Sequence, residues 1–220
     1  MPDFVPIPSP GIPLAYGAPE DPLVVVIHDW YGRLPWLEPF AMALAAHGFR
    51  VVVPDLFDGL CTTESAGGRI LLERLDLGFA LAAIDDIIQE ARADGSKHVG
   101  VIGFSMGGWI SLLHAQGGES DAVVAYYASL TPEDHGVIPC PVLLQFAETD
   151  EWSPGEQPAE FIARLEEHGT PVTAHTYLGT RHSFANASLP LTRDANASAL
   201  AFARTTSFLM THLFEPEVGY

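Results

Sequence analysis

The chain has 220 residues, 48% of them hydrophobic, and a mean hydropathy of +0.18; this supports one domain with a single large core and excludes a disordered chain. Its 28 acidic and 10 basic residues give a formal charge of −18, which repels nucleic acid and anionic membrane surfaces. No apolar run approaches the roughly 18 residues of a membrane helix, the first residues lack a basic start and an apolar signal core, and two cysteines, Cys61 and Cys140, make no disulfide framework or metal-ligand spacing, so a cytoplasmic location is expected.

Short β-branched runs alternate with longer helical patterns. Residues 23–28 form a continuous apolar run, as a strand covered on both faces should. Residues 36–47 have helical spacing, with Gly48 suited to the C′ position, and 49–54 read as a second strand. A long amphipathic helix is expected over 69–93, with a break near Gly78. Strand 98–103, helix 106–116, strand 122–127, strand 141–146, helix 157–168, strand 171–177 and a last helix over about 194–213 complete the chain. Residues 57–68 read as an irregular loop at a pocket rim. Repeated βα alternation predicts a single-domain α/β fold, with a mostly parallel sheet between two helical layers. Ligands of such sheets bind at the carboxyl ends of the strands.

The segment Gly103-Phe104-Ser105-Met106-Gly107-Gly108 lies between a predicted strand and a predicted helix. Strand, G-x-S-x-G, helix is the arrangement of a nucleophile elbow. The sharp turn exposes the serine hydroxyl at the edge of the sheet, and glycines on either side let neighbouring backbone pass close. The Met106 amide then sits at a helix N-terminus, where it can face an oxyanion. The bare pattern arises readily by chance, so the flanking elements carry the inference.

A serine hydroxyl is a weak nucleophile without a base, and the base is usually a histidine oriented by a carboxylate. With the order Ser, Asp or Glu, His, the candidates after Ser105 are His135, His168, His175, His182 and His212. His168, His175 and His212 fall near a helix end, in a strand and in the final helix. His182 falls in a loop after a strand, which selects it. The acid should follow a strand between 105 and 182, and Asp150 does, with Glu148 as the alternative. A second oxyanion donor should come from the loop 28–32, with the Trp30 amide beside that of Met106. The side chains of Trp30, Tyr31 and Trp36 are then expected to wall the pocket, the alternative being ordinary core or rim aromatics.

Together these segments resemble the dienelactone hydrolase family over nearly the whole chain. The matching pieces are Asp29-Trp30-Tyr31-Gly32, Pro54-Asp55-Leu56, the elbow, Tyr126-Tyr127, Glu148-Thr149-Asp150 and His182-Ser183-Phe184-Ala185. The resemblance implies an α/β-hydrolase fold, hydrolytic activity and the base at His182. Three positions depart from the family's best-known enzymes. Ser105 replaces a cysteine, Asp29 replaces a glutamate that restrains the thiol, and Asn186 stands where an arginine binds the substrate carboxylate. Arg69, Arg181 and Arg193 are the candidates to compensate. The expected function is a serine hydrolase for a small neutral ester or lactone, with Ser105, Asp150 and His182 catalytic and Asp29, Tyr31, Trp36 and Asn186 near the substrate. No metal or organic cofactor and no macromolecular partner is expected beyond a monomer or homodimer. The alternatives are an acyltransferase or thioesterase with the same triad, and a non-catalytic binding protein on the same fold.

Overall fold

The computed structural model describes residues 3–151 and 157–214. The strands are β1 (Val5–Pro6), β2 (Leu14–Tyr16), β3 (Leu23–Ile27), β4 (Arg50–Val53), β5 (Leu60–Cys61), β6 (Val99–Phe104), β7 (Ala122–Tyr126), β8 (Val142–Thr149) and β9 (Val172–Arg181). The helices are α1 (Leu37–Ala45), α2 (Ser65–Glu73), α3 (Leu77–Asp94), α4 (Met106–Ala115), α5 (Pro158–Glu167) and α6 (Ala195–Leu213). Seven strands form one sheet in the order β2-β4-β3-β6-β7-β8-β9. Only β2 runs antiparallel to its neighbour; β1 and β5 pair in a separate antiparallel ribbon.

Strand alternation explains the unbroken apolar runs. Leu23, Val25 and Ile27 face a core shared with α3, α4 and α5. Val24 and Val26 face the opposite core with α1 and α6. Both faces are covered, so β3 has no polar side and is buried throughout. Phe49, Phe104 and Phe161 have no exposed surface, and truncating any of them to alanine costs about 3–5 kcal/mol.

Three segments differ from the sequence reading. The helix expected over 69–93 with a break near Gly78 is two helices, broken at residues 74–76 just before Gly78, and the first of them begins earlier than expected, at Ser65. Asp76 caps α3, accepting the Phe79 N–H at 3.0 Å, and this capping bond ends any continuation from α2. Residues 57–68, expected to be irregular, contain β5 and the start of α2. Finally, β8 and β9 run several residues beyond the expected ends, with a register shift between Ala147 and Thr149. That extension delivers residues 150 and 182 to the same edge of the sheet.

Candidate active site

Ser105 sits between β6 and α4 with φ +52° and ψ −114°, a conformation that L-residues rarely adopt. Backbone hydrogen bonds hold it there. Its N–H donates to the Tyr126 carbonyl and its own carbonyl accepts from the Trp109 N–H, each at 2.9 Å. The surrounding glycines are sterically required. A Cβ on Gly103 would lie 2.0 Å from the Gly107 carbonyl oxygen, and one on Gly107 would lie 2.4 Å from that of Ile27. The second contact shows that the start of α4 is pressed against the end of β3, which brings Met106 close to the loop 28–32.

The Ser105 Oγ lies 2.7 Å from His182 Nε2. His182 Nδ1 lies 2.8 Å from each oxygen of Asp150. A carboxylate accepts only, so Nδ1 carries the proton and Nε2 is free to accept from the serine hydroxyl. Both side chains are largely shielded, His182 at 8% and Asp150 at 15% exposure, which strengthens the pairing relative to water. The acid alternative, Glu148, is turned elsewhere: its carboxylate accepts the Gly179 N–H at 2.7 Å and ties β8 to β9.

The loop after β3 is fixed by its own polar groups. His28 donates from Nδ1 to the Asp29 carbonyl at 2.7 Å and accepts the Leu56 N–H at Nε2, 3.1 Å. Full burial lowers its pKa to about 4, opposed in part by the bond to Asp29. Asp29 accepts the Tyr31 N–H at 2.9 Å and the Asn186 amide at 2.8 Å. Burial raises its carboxyl to about 6, against the lowering effect of those two bonds and of nearby His182.

The expected substrate-contact residues are therefore placed differently. Asn186 is fully buried and Asp29 is 1% exposed, and they hold each other. Trp36 packs edge-on against Phe104 with centroids 4.9 Å apart, so it is a core residue and not an open pocket wall. Tyr31 is also buried, its hydroxyl 3.3 Å from that of Ser65. The physical reason is common to all four: short polar bonds and apolar packing draw them under the surface. Trp30 is half-buried, its ring lying flat enough on α2 that a Cβ on Gly68 would come within 3.2 Å. Arg69, Arg181 and Arg193 are exposed.

One neighbour of the site was assigned no role from sequence. Tyr127, fully buried at φ +40°, stacks its ring 4.9 Å from that of His182 at a tilt of 58°. The Tyr126-Tyr127 pair was the available signal. Ser183, directly after the histidine, also has a positive φ, +66°. Both cysteines are buried free thiols, and burial pushes Cys140 up to about 12. Among the described residues no group of three or more His, Cys, Asp or Glu is disposed to hold a metal ion, and no helix is long and apolar enough to cross a membrane.

The model of the dienelactone hydrolase family matches residues 14–213. The chain belongs to the dienelactone hydrolase family. That membership makes it a carboxylic ester hydrolase. The matched span contains the sheet β2 to β9, the elbow and the His182 loop. The chain is similar to Protein usf of Aquifex pyrophilus, 27% identical over 205 residues that cover 87% of this chain and 89% of the relative. It is also similar to carboxymethylenebutenolidase 1 of Cupriavidus pinatubonensis, 26% identical over 205 residues, 86% of this chain and 85% of the relative. Among solved structures, a dienelactone hydrolase-like promiscuous phosphotriesterase, P91, from metagenomic libraries superposes with a TM-score of 0.67 at 22% identity, covering 88% of this chain and 87% of that one. At that identity the likeness carries the fold alone: an α/β hydrolase.

Proposed function

We propose that this dienelactone hydrolase family member cleaves a small, uncharged carboxylic ester or lactone through an acyl-enzyme on Ser105. The observation that carries the reading is the unbroken hydrogen-bonded chain from Asp150 through His182 to Ser105, at 2.8 and 2.7 Å, ending on a strained elbow. As Oγ bonds to the carbonyl carbon, His182 Nε2 takes the hydroxyl proton, and Asp150 stabilises the imidazolium. Negative charge moves to the carbonyl oxygen. Met106 opens α4, so its N–H has no acceptor within the helix and can meet that oxygen, with the Trp30 amide as second donor. Collapse breaks the carbonyl-carbon to alkoxide bond, and the leaving oxygen takes the proton from Nε2. Water then attacks the acyl-enzyme, His182 again serving as base, and Ser105 recovers its proton.

The uncharged substrate follows from the buried Asn186–Asp29 pair. Asn186 replaces a cationic partner for a substrate carboxylate, and its amide is already committed to Asp29. The same reading takes the chain as one cytoplasmic domain working without metal or organic cofactor. The test is labelling by a fluorophosphonate probe together with hydrolysis of a panel of short acyl esters and lactones. Labelling of the wild type that disappears in Ser105→Ala, with hydrolysis disappearing alongside, supports the proposal. Hydrolysis that persists in Ser105→Ala overturns it. An added alcohol or thiol that outcompetes water at equal activity would move the assignment to acyl transfer.

A further inference from the structure

The helix α6 and the strand β9 together contain 29 residues and no Asp or Glu. With 28 acids in 220 residues, a stretch of that length would carry about four at the chain's average. The charged groups they do carry are Arg181, Arg204, His175 and His212. Three of these four converge. A groove of about 280 Å³ between α6 and β9 is lined by Thr173, His175, Arg204, Ser207, Thr211 and His212, over an apolar floor.

The convergence follows from the two periodicities. Positions 204, 207, 211 and 212 fall on one face of α6, and 173 and 175 on one face of β9. Tyr177, next on that strand face, is buried and supports the cation: the Arg204 guanidinium carbon sits 5.3 Å from its ring centroid. Among the described residues no carboxylate pairs with Arg204. This is unusual for a chain with nearly three acids per base, where Arg50 and Arg92 both have acidic partners. The ring of His212 is braced edge-on by Phe208 at 4.6 Å. The Thr211 hydroxyl donates to the Ser207 carbonyl, leaving Thr173 and Ser207 as the hydroxyls that face outward.

We propose that this groove binds a phosphate dianion, either free or as the head of a small phosphate monoester. One planar guanidinium, two imidazoles and two exposed hydroxyls supply several donors around a small volume, which suits a group with several acceptor oxygens. A single-sign cleft also concentrates its counterion locally even though the whole molecule repels anions. The groove is remote from Ser105. From His175 to Arg181 the strand runs about 20 Å before it reaches His182. The proposal is therefore independent of the esterase reading.

Proton linkage gives it a signature. Burial and then Arg204 lower the pKa of His175. The groups facing it are Arg204 and His212 of α6 and Tyr177 of its own strand; its partner in register on β8 is Gln145. A bound dianion opposes the Arg204 effect and favours the imidazolium, so binding should raise the midpoint of His175, and affinity expressed per dianion should tighten as pH falls from about 8 to about 6, a range in which the phosphate itself also takes up a proton.

The experiment is a titration of the full chain with inorganic phosphate at constant ionic strength, followed by histidine side-chain NMR, with glycerol phosphate and sulfate as parallel arms. Saturable shifts at His175 and His212 are expected, with a Kd that, referred to the concentration of dianion at each pH, is of millimolar order or tighter and smaller at the lower pH. Tighter binding of glycerol phosphate than of phosphate would identify the monoester as the ligand class, and the reverse the free ion. Arg204→Gln should weaken binding about tenfold or more, and His175→Gln should flatten the pH dependence while retaining most of the affinity. Ester hydrolysis should be unchanged in both. If Arg204→Gln folds poorly, Ser207→Glu, at an exposed position, places a repelling carboxylate in the groove and should abolish binding. Shifts that do not saturate, or that are the same in Arg204→Gln or Ser207→Glu as in wild type, overturn the proposal.

Discussion

The Asn186 amide donates to the Asp29 carboxylate across 2.8 Å, joining positions 157 residues apart in a fully buried pair beside His182. Asp29 also lies next to His28, and burial drives the two in opposite directions. Asp29 rises from 3.8 to about 6, and His28 falls from 6.5 to about 4. Between about pH 4 and 6 the folded chain keeps a proton on Asp29 that the unfolded chain has released, so this group loses stability as pH rises. Over the same range the unfolded chain protonates its histidine while buried His28 resists, so that group loses stability as pH falls. The two slopes largely offset. Asp29→Asn removes one of them. Relative to wild type, it should lose about 2 kcal/mol more between pH 7 and 4.5, measured by urea unfolding at both values. Parallel pH profiles for the two proteins would refute this account.

His182→Ala should reduce kcat by as many powers of ten as Ser105→Ala, because the members of such a unit fail together. The double variant should be little worse than either single one. Single-turnover and steady-state rates on one short ester decide it, and additive losses would show that His182 does not serve Ser105.

The two carboxylates near the end of β8 should separate cleanly. Asp150→Asn leaves His182 without an anionic partner and should lower kcat by about a thousandfold or more. Glu148→Gln retains an oxygen able to accept the Gly179 N–H and should leave kcat within about threefold of wild type while changing stability by about 1 kcal/mol or less. A larger rate loss in Glu148→Gln than in Asp150→Asn would exchange their roles.

Dienelactone, which carries a carboxylate, should be a poorer substrate than an acetate or butyrate ester. The missing charge-assisted bond is worth about 1.5–3 kcal/mol, or roughly ten- to a hundredfold in kcat/KM. The comparison is made at one salt concentration. A tenfold preference for dienelactone would mean that Arg69, Arg181 or Arg193 reaches the site from its exposed position.

Gly107→Ala should destabilise the chain by several kcal/mol, because its Cβ would collide with the backbone oxygens of Ile27 and His28 at 2.4 and 2.5 Å. Thermal unfolding checks it. A melting temperature within about a degree of wild type would show that the start of α4 can withdraw from β3.

The central strands, the elbow and the histidine were legible because each is a local pattern. A short apolar run rich in valine and bounded by turn residues suits a doubly covered strand, and glycines at 103 and 107 announce a close approach. Helix ends were less legible: the Asp76 cap that splits residues 69–93 competes with apolar spacing that continues on both sides. Strand-end position favours Asp150 over Glu148, but the different placement of the two carboxylates accompanies a register shift between β8 and β9 that no single strand encodes. The roles of Asp29, Asn186 and Trp36 were illegible for a related reason. Their burial is set by contacts between segments far apart in sequence, so a residue type that suits a pocket wall can lie one layer beneath it.

Ser105, Tyr127 and Ser183 carry three of the five positive-φ non-glycine backbones among the described residues, and all three border the same edge of the sheet. At Tyr127 the loss of a fully buried ring would outweigh any relief of backbone strain, but at Ser105 and Ser183, with small side chains, glycine would relax the conformation, typically by of order 1 kcal/mol or more. Heat tolerance and turnover therefore pull in opposite directions at these two serines. A lineage or a laboratory selection that rewards only survival at high temperature should drift toward glycine there and emerge as a sturdier, silent protein. A selection that also demands turnover must find its stability in the helices and the outer strands.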